Sequence, residues 1–352
     1  PVPGGTGRYA REITAALAAN PRPGWQVRSV VAWHREPTAA RIPGVDGPHR
    51  LPAGRRGLAE LWCRGLPPTV RGDRVHAATP LAPPRRRGLV VTVHDAVPWT
   101  HPETLTPRGV RWHRSTVGRA ARYADAIVVP SAAVADDLSG LFPAATDRIV
   151  VIGHGVTALP VPVDAAARRV RLGVPDRYVL SVATLEPRKG LDVLIDAMAR
   201  PAAAGATLAV VGPRGWGGVD VASVAASAGL PASRVRQLGR LSDDDLAAVL
   251  AGAALLAAPS RAEGFGLPVL EAMAAGVPVV VSDAPALVEL AGPAGLVTRR
   301  DDAGDLAVAI GGVLSDPVRA GDMAARGLAR AGLYSWTASA ERIWDLHVGP
   351  AS

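Results

Sequence analysis

The chain has 352 residues, 48% of them apolar, and a formal net charge of +8; that length accommodates two domains of roughly 100–200 residues each, and that apolar share excludes wholesale disorder. Cys63 is the only cysteine, which excludes an internal disulfide and fits a reducing, cytoplasmic compartment; the longest charge-free apolar run, 246–259, falls short of the about 20 residues that cross a bilayer. The positive charge is scattered, with Arg85-Arg86-Arg87 as its one run, and no nucleic-acid module signature accompanies it, so phosphate-bearing ligands rank first, an anionic membrane face second and nucleic acid last.

From Pro1 the chain runs straight into Gly4-Gly5-Thr6-Gly7-Arg8-Tyr9. Neither an initiating methionine nor a strand precedes it, and the expectation is an incomplete N-terminus. Short β-rich runs at 25–33, 89–94, 125–130 and 149–152 read as buried strands, and 8–19, 107–123 and 131–141 read as helices, with Ser131 as an N-cap. Residues 160–175, carrying prolines and an Arg/Ala-rich patch, read as a connector. The alternation then restarts, with strands at 178–183, 207–211, 235–238, 254–258, 278–282 and 295–297. Helices include 190–199, 242–251 and 267–275, and the tail from about 317 is helical. Such alternation predicts parallel sheets with helices on both faces, and ligands bind beyond the carboxyl ends of the strands in sheets of that kind.

Four motifs fall at predicted strand ends or loops. Gly4-Gly5-Thr6-Gly7 leads into a helix, where glycines allow close backbone approach and the helix start attracts anions; an ordinary turn reads equally well. His94 closes the strand 89–94 and suits a sugar hydroxyl or a proton, against the plainer reading of a structural histidine bonded to backbone. Glu186-Pro187-Arg188-Lys189-Gly190 follows a strand and opens a helix. Cations are badly placed at a helix start unless an anion such as a diphosphate neutralises them. Lys189 is also the only lysine among 39 cationic residues, and a lysine is a compact point charge that arginine does not replace. The fourth motif runs from Glu263 through Gly264, Phe265, Gly266, Leu267 and Pro268 to Glu271. It sets two carboxylates eight residues apart around a glycine-rich turn, with a proline suited to the first turn of a helix.

Together these motifs resemble the large retaining glycosyltransferase family 4, of GT-B fold, and the likeness spans nearly the whole chain. Its most specific part is the Glu263 to Glu271 element. The segments 184–189 and 239–242 also look like the family, and 94–98 looks like mannosyltransferase-type members of surface polysaccharide assembly. The resemblance implies an α/β architecture of two facing Rossmann-like, doubly wound domains with a cleft between them. Residues 1–160 are the acceptor-binding domain, 161–334 the sugar-nucleotide-binding domain, and 335–352 a helix that returns to brace the first. It implies Gly5, beside Gly4, against the donor diphosphate, Arg188 and Lys189 neutralising that diphosphate, and backbone contacts from Gly264, Phe265, Gly266 and Leu267. Glu263 then contacts the donor sugar, Glu271 the ribose, the backbone at Arg240 and Leu241 the base, and His94 the transferred sugar and the acceptor side. Some relatives carry an extra arginine where this chain has Ala183-Thr184.

The implied activity is metal-independent transfer of a hexose to a glycan or lipid-linked acceptor, with no cofactor. GDP-mannose is the first expected donor, ahead of UDP-hexoses, and peripheral contact with the inner membrane face is an expectation. No Asp-x-Asp metal motif stands at the end of a predicted strand, so cations and a helix start have to stabilise the leaving group. Three rivals stand beside this reading: a glycoside hydrolase using Glu263 and Glu271 as acid and nucleophile, a sugar-nucleotide epimerase of the same architecture, and a non-catalytic nucleotide-binding module.

Overall fold

A computed structural model describes residues 4–350; the expectation about what precedes Gly4 lies outside them. The chain divides into two compact units. The first takes the described residues up to Pro102, then Pro107–Gly155, then those from Tyr334 onward; the second takes Glu103–Thr106 and Val156–Leu333.

In the first unit β1 (Arg28–Trp33) and β2 (Asp46–Gly54) form a parallel pair, and β3 (Val75–Ala77), β4 (Leu89–Thr92), β5 (Ala126–Val129) and β6 (Ile149–Val151) form a parallel sheet in the order β3-β4-β5-β6. Its helices are α1 (Gly5–Ala19), α2 (Arg55–Cys63), the single turn α3 (Val97–Thr100), α4 (Pro107–Tyr123), α5 (Ala132–Leu141) and the C-terminal helix Trp336–Val348. Successive strand residues point to opposite faces. Val90, Ala126 and Val128 meet Tyr9, Ile13 and Leu17 of α1 and Ala340, Ile343 and Trp344 of the C-terminal helix. Val91, Ile127 and Val129 meet Leu58, Val117, Ala120, Val134 and Leu138 of α2, α4 and α5. Burial on both faces explains why β5, and β4 up to Thr92, are apolar runs. Ser131 caps α5 as expected, its Oγ accepting from the Val134 amide at 3.3 Å.

The expected strand at 25–33 contracts to Arg28–Trp33, and its partner β2 was not foreseen. β2 reads Asp-Gly-Pro-His-Arg-Leu-Pro-Ala-Gly. Two prolines and no apolar run disguise it, and such a strand is tolerated because only one neighbour pairs with it.

The second unit holds β7 (Tyr178–Val182), β8 (Thr207–Val211), β9 (Val235–Gly239), β10 (Leu255–Ala258), β11 (Val279–Ser282) and β12 (Leu296–Thr298) in one parallel sheet, ordered β12-β11-β10-β7-β8-β9. The helices are α6 (Ala165–Arg171), α7 (Leu191–Ala199), α8 (Val221–Ser227), α9 (Asp243–Ala251), α10 (Leu267–Ala274), α11 (Pro285–Ala291), α12 (Ala303–Ser315) and α13 (Pro317–Ala331). The stretch expected to be a connector therefore contains α6, whose Arg168 reaches Asp245 of α9 at 2.9 Å. From β7 the chain builds outward through β8 to β9, then returns to set β10 on the other side of β7, pairing Leu255 with Val179. The sheet thus reverses direction between β7 and β10, and the crevice beyond their carboxyl ends is where such sheets bind ligands.

The C-terminal helix is anchored by Trp344, whose ring is 5% exposed and whose Nε1 donates to the Leu17 carbonyl at 3.2 Å. Trp344→Ala is expected to cost about 3–5 kcal/mol. Denaturant unfolding of the first unit checks this, and an unchanged midpoint would mean that the helix is not part of its core.

Candidate active site

The loops that follow β7 and β10 touch through backbone. After β7 comes a 3₁₀ turn, Pro187–Lys189, then Gly190 at φ +64° as the cap of α7. A Cβ on Gly190 would lie 2.1 Å from the Pro259 carbonyl oxygen, so approach and dihedral both require glycine. The Arg261 amide donates to the Arg188 carbonyl at 2.8 Å, which pins the turn to the facing loop.

This contact gathers four charged side chains. Lys189 Nζ donates to Glu263 Oε1 at 2.5 Å, and Arg188 Nη1 donates to Glu263 Oε2 at 3.0 Å. Arg188 also donates to the Ala262 carbonyl at 2.9 Å and, through Nη2, to Glu186 Oε1 at 2.7 Å. Ser260 Oγ donates to Glu263 Oε1 at 2.8 Å. The Lys189 and Glu263 side chains are 15% and 13% exposed. Burial by itself pushes the Glu263 carboxyl up, yet Lys189 and Arg188 overcome it and hold the pKa at about 2. Burial also pushes the Lys189 ammonium down, with Arg188 adding to the effect and Glu263 opposing it.

One expectation needs correcting here. Arg188 and Lys189 do not open a helix: they lie in the 3₁₀ turn, separated from α7 by left-handed Gly190. Two carboxylates, Glu186 and Glu263, already face them, so the misfit with a helix dipole vanishes as an argument for an anion. Proximity to the switch point takes its place.

Arg261 was missed in the sequence. Its Nη1 and Nη2 form a bidentate pair with Asp192 at 3.0 and 2.7 Å, its Nε reaches Asp301 at 2.7 Å, and Nη1 donates to the Pro187 carbonyl at 2.5 Å. This fork ties both ends of the Arg188–Lys189 turn to the loop bearing Glu263. The available signal was an arginine two residues before Glu263 and an acid three residues after Lys189.

Gly264, Phe265 and Gly266 are buried in the second loop, and Leu267, also buried, opens α10. Gly266, at φ +106°, caps α10, and a Cβ there would meet Leu287 at 2.6 Å. Glu271 sits half-buried in α10. Arg240 and Leu241 follow left-handed Gly239 at the end of β9, the edge strand two places from β7. In the first unit Gly5 is the first residue of α1 and Gly4 its cap, so the helix starts three residues earlier than the expected 8–19. His94 lies two residues beyond β4, with Nε2 bonded to the Ala78 carbonyl at 2.9 Å. Burial pushes its pKa down, the bond to Ala78 offsetting part of this, so the ring presents Nδ1 as an acceptor near neutral pH. The backbone-bonded reading of His94 is thus realised, and it leaves one ring nitrogen for a ligand. Among the described residues no group of three or more His, Cys, Asp or Glu side chains is arranged to hold a metal ion.

Comparison with known proteins agrees with this architecture. The family described as "Glycosyltransferase Family 4" matches residues 3–158, and "Glycosyl transferases group 1" matches residues 176–316. The O-antigen chain mannosyltransferase B of Escherichia coli is 28% identical over 94% of this chain and 92% of its own. The D-inositol 3-phosphate glycosyltransferase of Nocardia farcinica is 34% identical over 64% of this chain, which spans about half of that relative's length (54%). Among solved structures, Anabaena Alr3699/HepE in complex with UDP and glucose superposes with a TM-score of 0.74 at 23% identity, covering 98% of this chain and 96% of that one, a likeness of fold. Two parallel α/β units of GT-B type, the first carrying the family 4 match and the second the group 1 match, identify the chain as a glycosyltransferase with a family 4 domain.

Proposed function

We propose that this glycosyltransferase is a retaining enzyme that moves a hexose, mannose first among the candidates, from a nucleoside-diphosphate sugar to a hydroxyl of a glycan or lipid-linked acceptor. The observation that carries the proposal is the Arg188–Lys189–Glu263 knot at the switch point between β7 and β10. The second unit takes the donor and the first the acceptor. The name of the Escherichia coli relative, matched over nearly its full length, supports mannose and a growing polysaccharide. The Anabaena structure holds UDP, which keeps a uridine donor in the test.

Breaking the anomeric C–O bond leaves negative charge on the diphosphate and positive charge on the sugar ring. Arg188 and Lys189 meet the first, assisted by the α10 N-terminus behind Gly266. Glu263 keeps Lys189 in position and faces the sugar, Glu271 takes the ribose, and Arg240 and Leu241 border the base. The acceptor hydroxyl attacks from the face that the diphosphate leaves, and a departing phosphate oxygen takes its proton. Gly4, Gly5 and His94 serve the diphosphate and acceptor side. No helix among the described residues is long and apolar enough to cross a membrane, and the proposed setting is the cytoplasmic face of the inner membrane, by peripheral contact.

In the hydrolase reading Glu263 cannot be the acid: a glycosidase acid needs a raised pKa, whereas Lys189 and Arg188 hold the Glu263 carboxyl below its ordinary value against the push of burial.

The deciding experiment incubates the protein with GDP-mannose or UDP-hexoses, with and without a glycan acceptor, in the presence of EDTA. Acceptor-dependent release of nucleoside diphosphate with an α-linked product is expected. Donor conversion without acceptor would indicate the epimerase instead. Lys189→Ala is expected to lower kcat on the order of 10²–10³-fold, as for other lost charge-stabilising donors. Near-normal turnover in a folded variant refutes the leaving-group role. A pH prediction follows from Glu263. Its folded pKa lies below the ordinary 4.5, so its contribution, about 3 kcal/mol, is present above pH 4.5 and is lost as pH falls towards 2. Unfolding free energies between those limits should fall less steeply with acid in Glu263→Gln than in the parent.

A further inference from the structure

Trp216 is the one tryptophan of the second unit. The other aromatic rings of that unit, Tyr178 and Phe265, are buried, whereas Trp216 is 40% exposed. It lies in the loop 212–220, which leaves the carboxyl end of β8. The loop ends on Asp220, which caps α8 by accepting from the Ser223 amide at 2.7 Å. Trp216 therefore stands at the end of the sheet where ligands bind.

Backbone contacts fix this loop on both sides. Toward β7, the Leu185 amide donates to the Pro213 carbonyl at 3.0 Å and the Gly215 amide donates to the Leu185 carbonyl at 3.1 Å. The approach requires glycine: a Cβ on Gly215 would lie 2.8 Å from that carbonyl oxygen, and one on Gly217, at φ +90°, 2.6 Å from the Pro187 ring. Toward β9, the Gly212 amide donates to the Gly239 carbonyl at 2.8 Å. The neighbours of Trp216 in the chain are thus pressed on the segment that leads into Arg188 and Lys189, and its loop begins beside the residue that precedes Arg240. β8 pairs with β7 on one side and β9 on the other. The loop bearing Trp216 accordingly fills the interval between the cations assigned to the diphosphate and the residues assigned to the base.

We propose that Trp216 is the face on which the donor's nucleobase stacks, and that it favours a purine over a pyrimidine. This rests on the proposed donor, whose phosphates meet Arg188 and Lys189 and whose base lies toward β9. An indole is two fused rings, and a two-ring base covers more of it than a one-ring base, so more apolar area leaves water. Gly215 and Gly217 flank the indole without side chains that would crowd a flat ligand. Because the backbone is already tied down, little ordering remains to be done when the base arrives.

Calorimetric titration of GDP and of UDP into the parent, Trp216→Ala and Trp216→Phe tests this, with thermal melts to verify folding. The parent is expected to bind GDP more tightly than UDP. Trp216→Ala is expected to weaken GDP on the order of tenfold, as for other lost base stacking, and UDP by a smaller factor. In transfer assays its KM for a GDP-sugar rises while kcat at saturating donor is kept, because the ring does not touch the bond that breaks. Trp216→Phe, with one ring, is expected to narrow the gap between the two nucleotides, which provides a readout should the alanine variant fold poorly. Unchanged GDP affinity in a folded Trp216→Ala overturns the proposal, as does an equal loss for both nucleotides, an unchanged gap in Trp216→Phe or a parent that prefers UDP. A parent that binds neither nucleotide overturns the donor assignment itself and this inference with it, so the two failures are told apart.

Discussion

One buried carboxylate holds two cations in a place where neither would settle by itself. Glu263 accepts from Lys189 and Arg188 at once, and it remains ionised in spite of burial because they are there. Each member makes the others tolerable: remove the acid and two positive charges face one another at low exposure; remove either cation and a carboxylate is left poorly solvated. The local backbone follows from this. Gly190 allows the β7 loop to press on Pro259, Arg261 clamps the turn through Pro187 and Asp192, and Ser282 Oγ bonds the Ser260 carbonyl at 2.5 Å beneath Glu263.

The knot is close to neutral as it stands, with Glu186 and Glu263 opposite Arg188 and Lys189. On the proposed reading an arriving diphosphate is met by cations that already have partners, and Lys189 shares its three donors between Glu263 and a phosphate oxygen. The cost of ordering the ammonium is met during folding rather than at the moment of reaction, which is what preorganised electrostatic stabilisation requires.

Much of this was legible before any coordinates. Apolar runs of four or five residues separated by amphipathic stretches sufficed for most strands and for α4, because parallel sheets buried on both faces leave that imprint. The site was legible where backbone chemistry is written in glycine and proline, as at Gly266, and where composition singled out Lys189. What escaped were features with no local period. β2 hides behind prolines, α6 lay inside what read as a linker, and Arg261 acts through Asp192 and Asp301, which are distant in sequence. His94 shows the same limit, since nothing near it announces that Ala78 would take one of its ring nitrogens.

The path of the chain has a practical consequence. Both ends of the described chain lie in the first unit, and the bulk of the second, Val156–Leu333, is inserted in its sequence, entered after Gly155 and left before Tyr334. Trimming from the carboxyl end would strip the core of the unit that begins the chain and leave the second unit intact. Isolating Val156–Leu333 instead takes two cuts, one on each side of it.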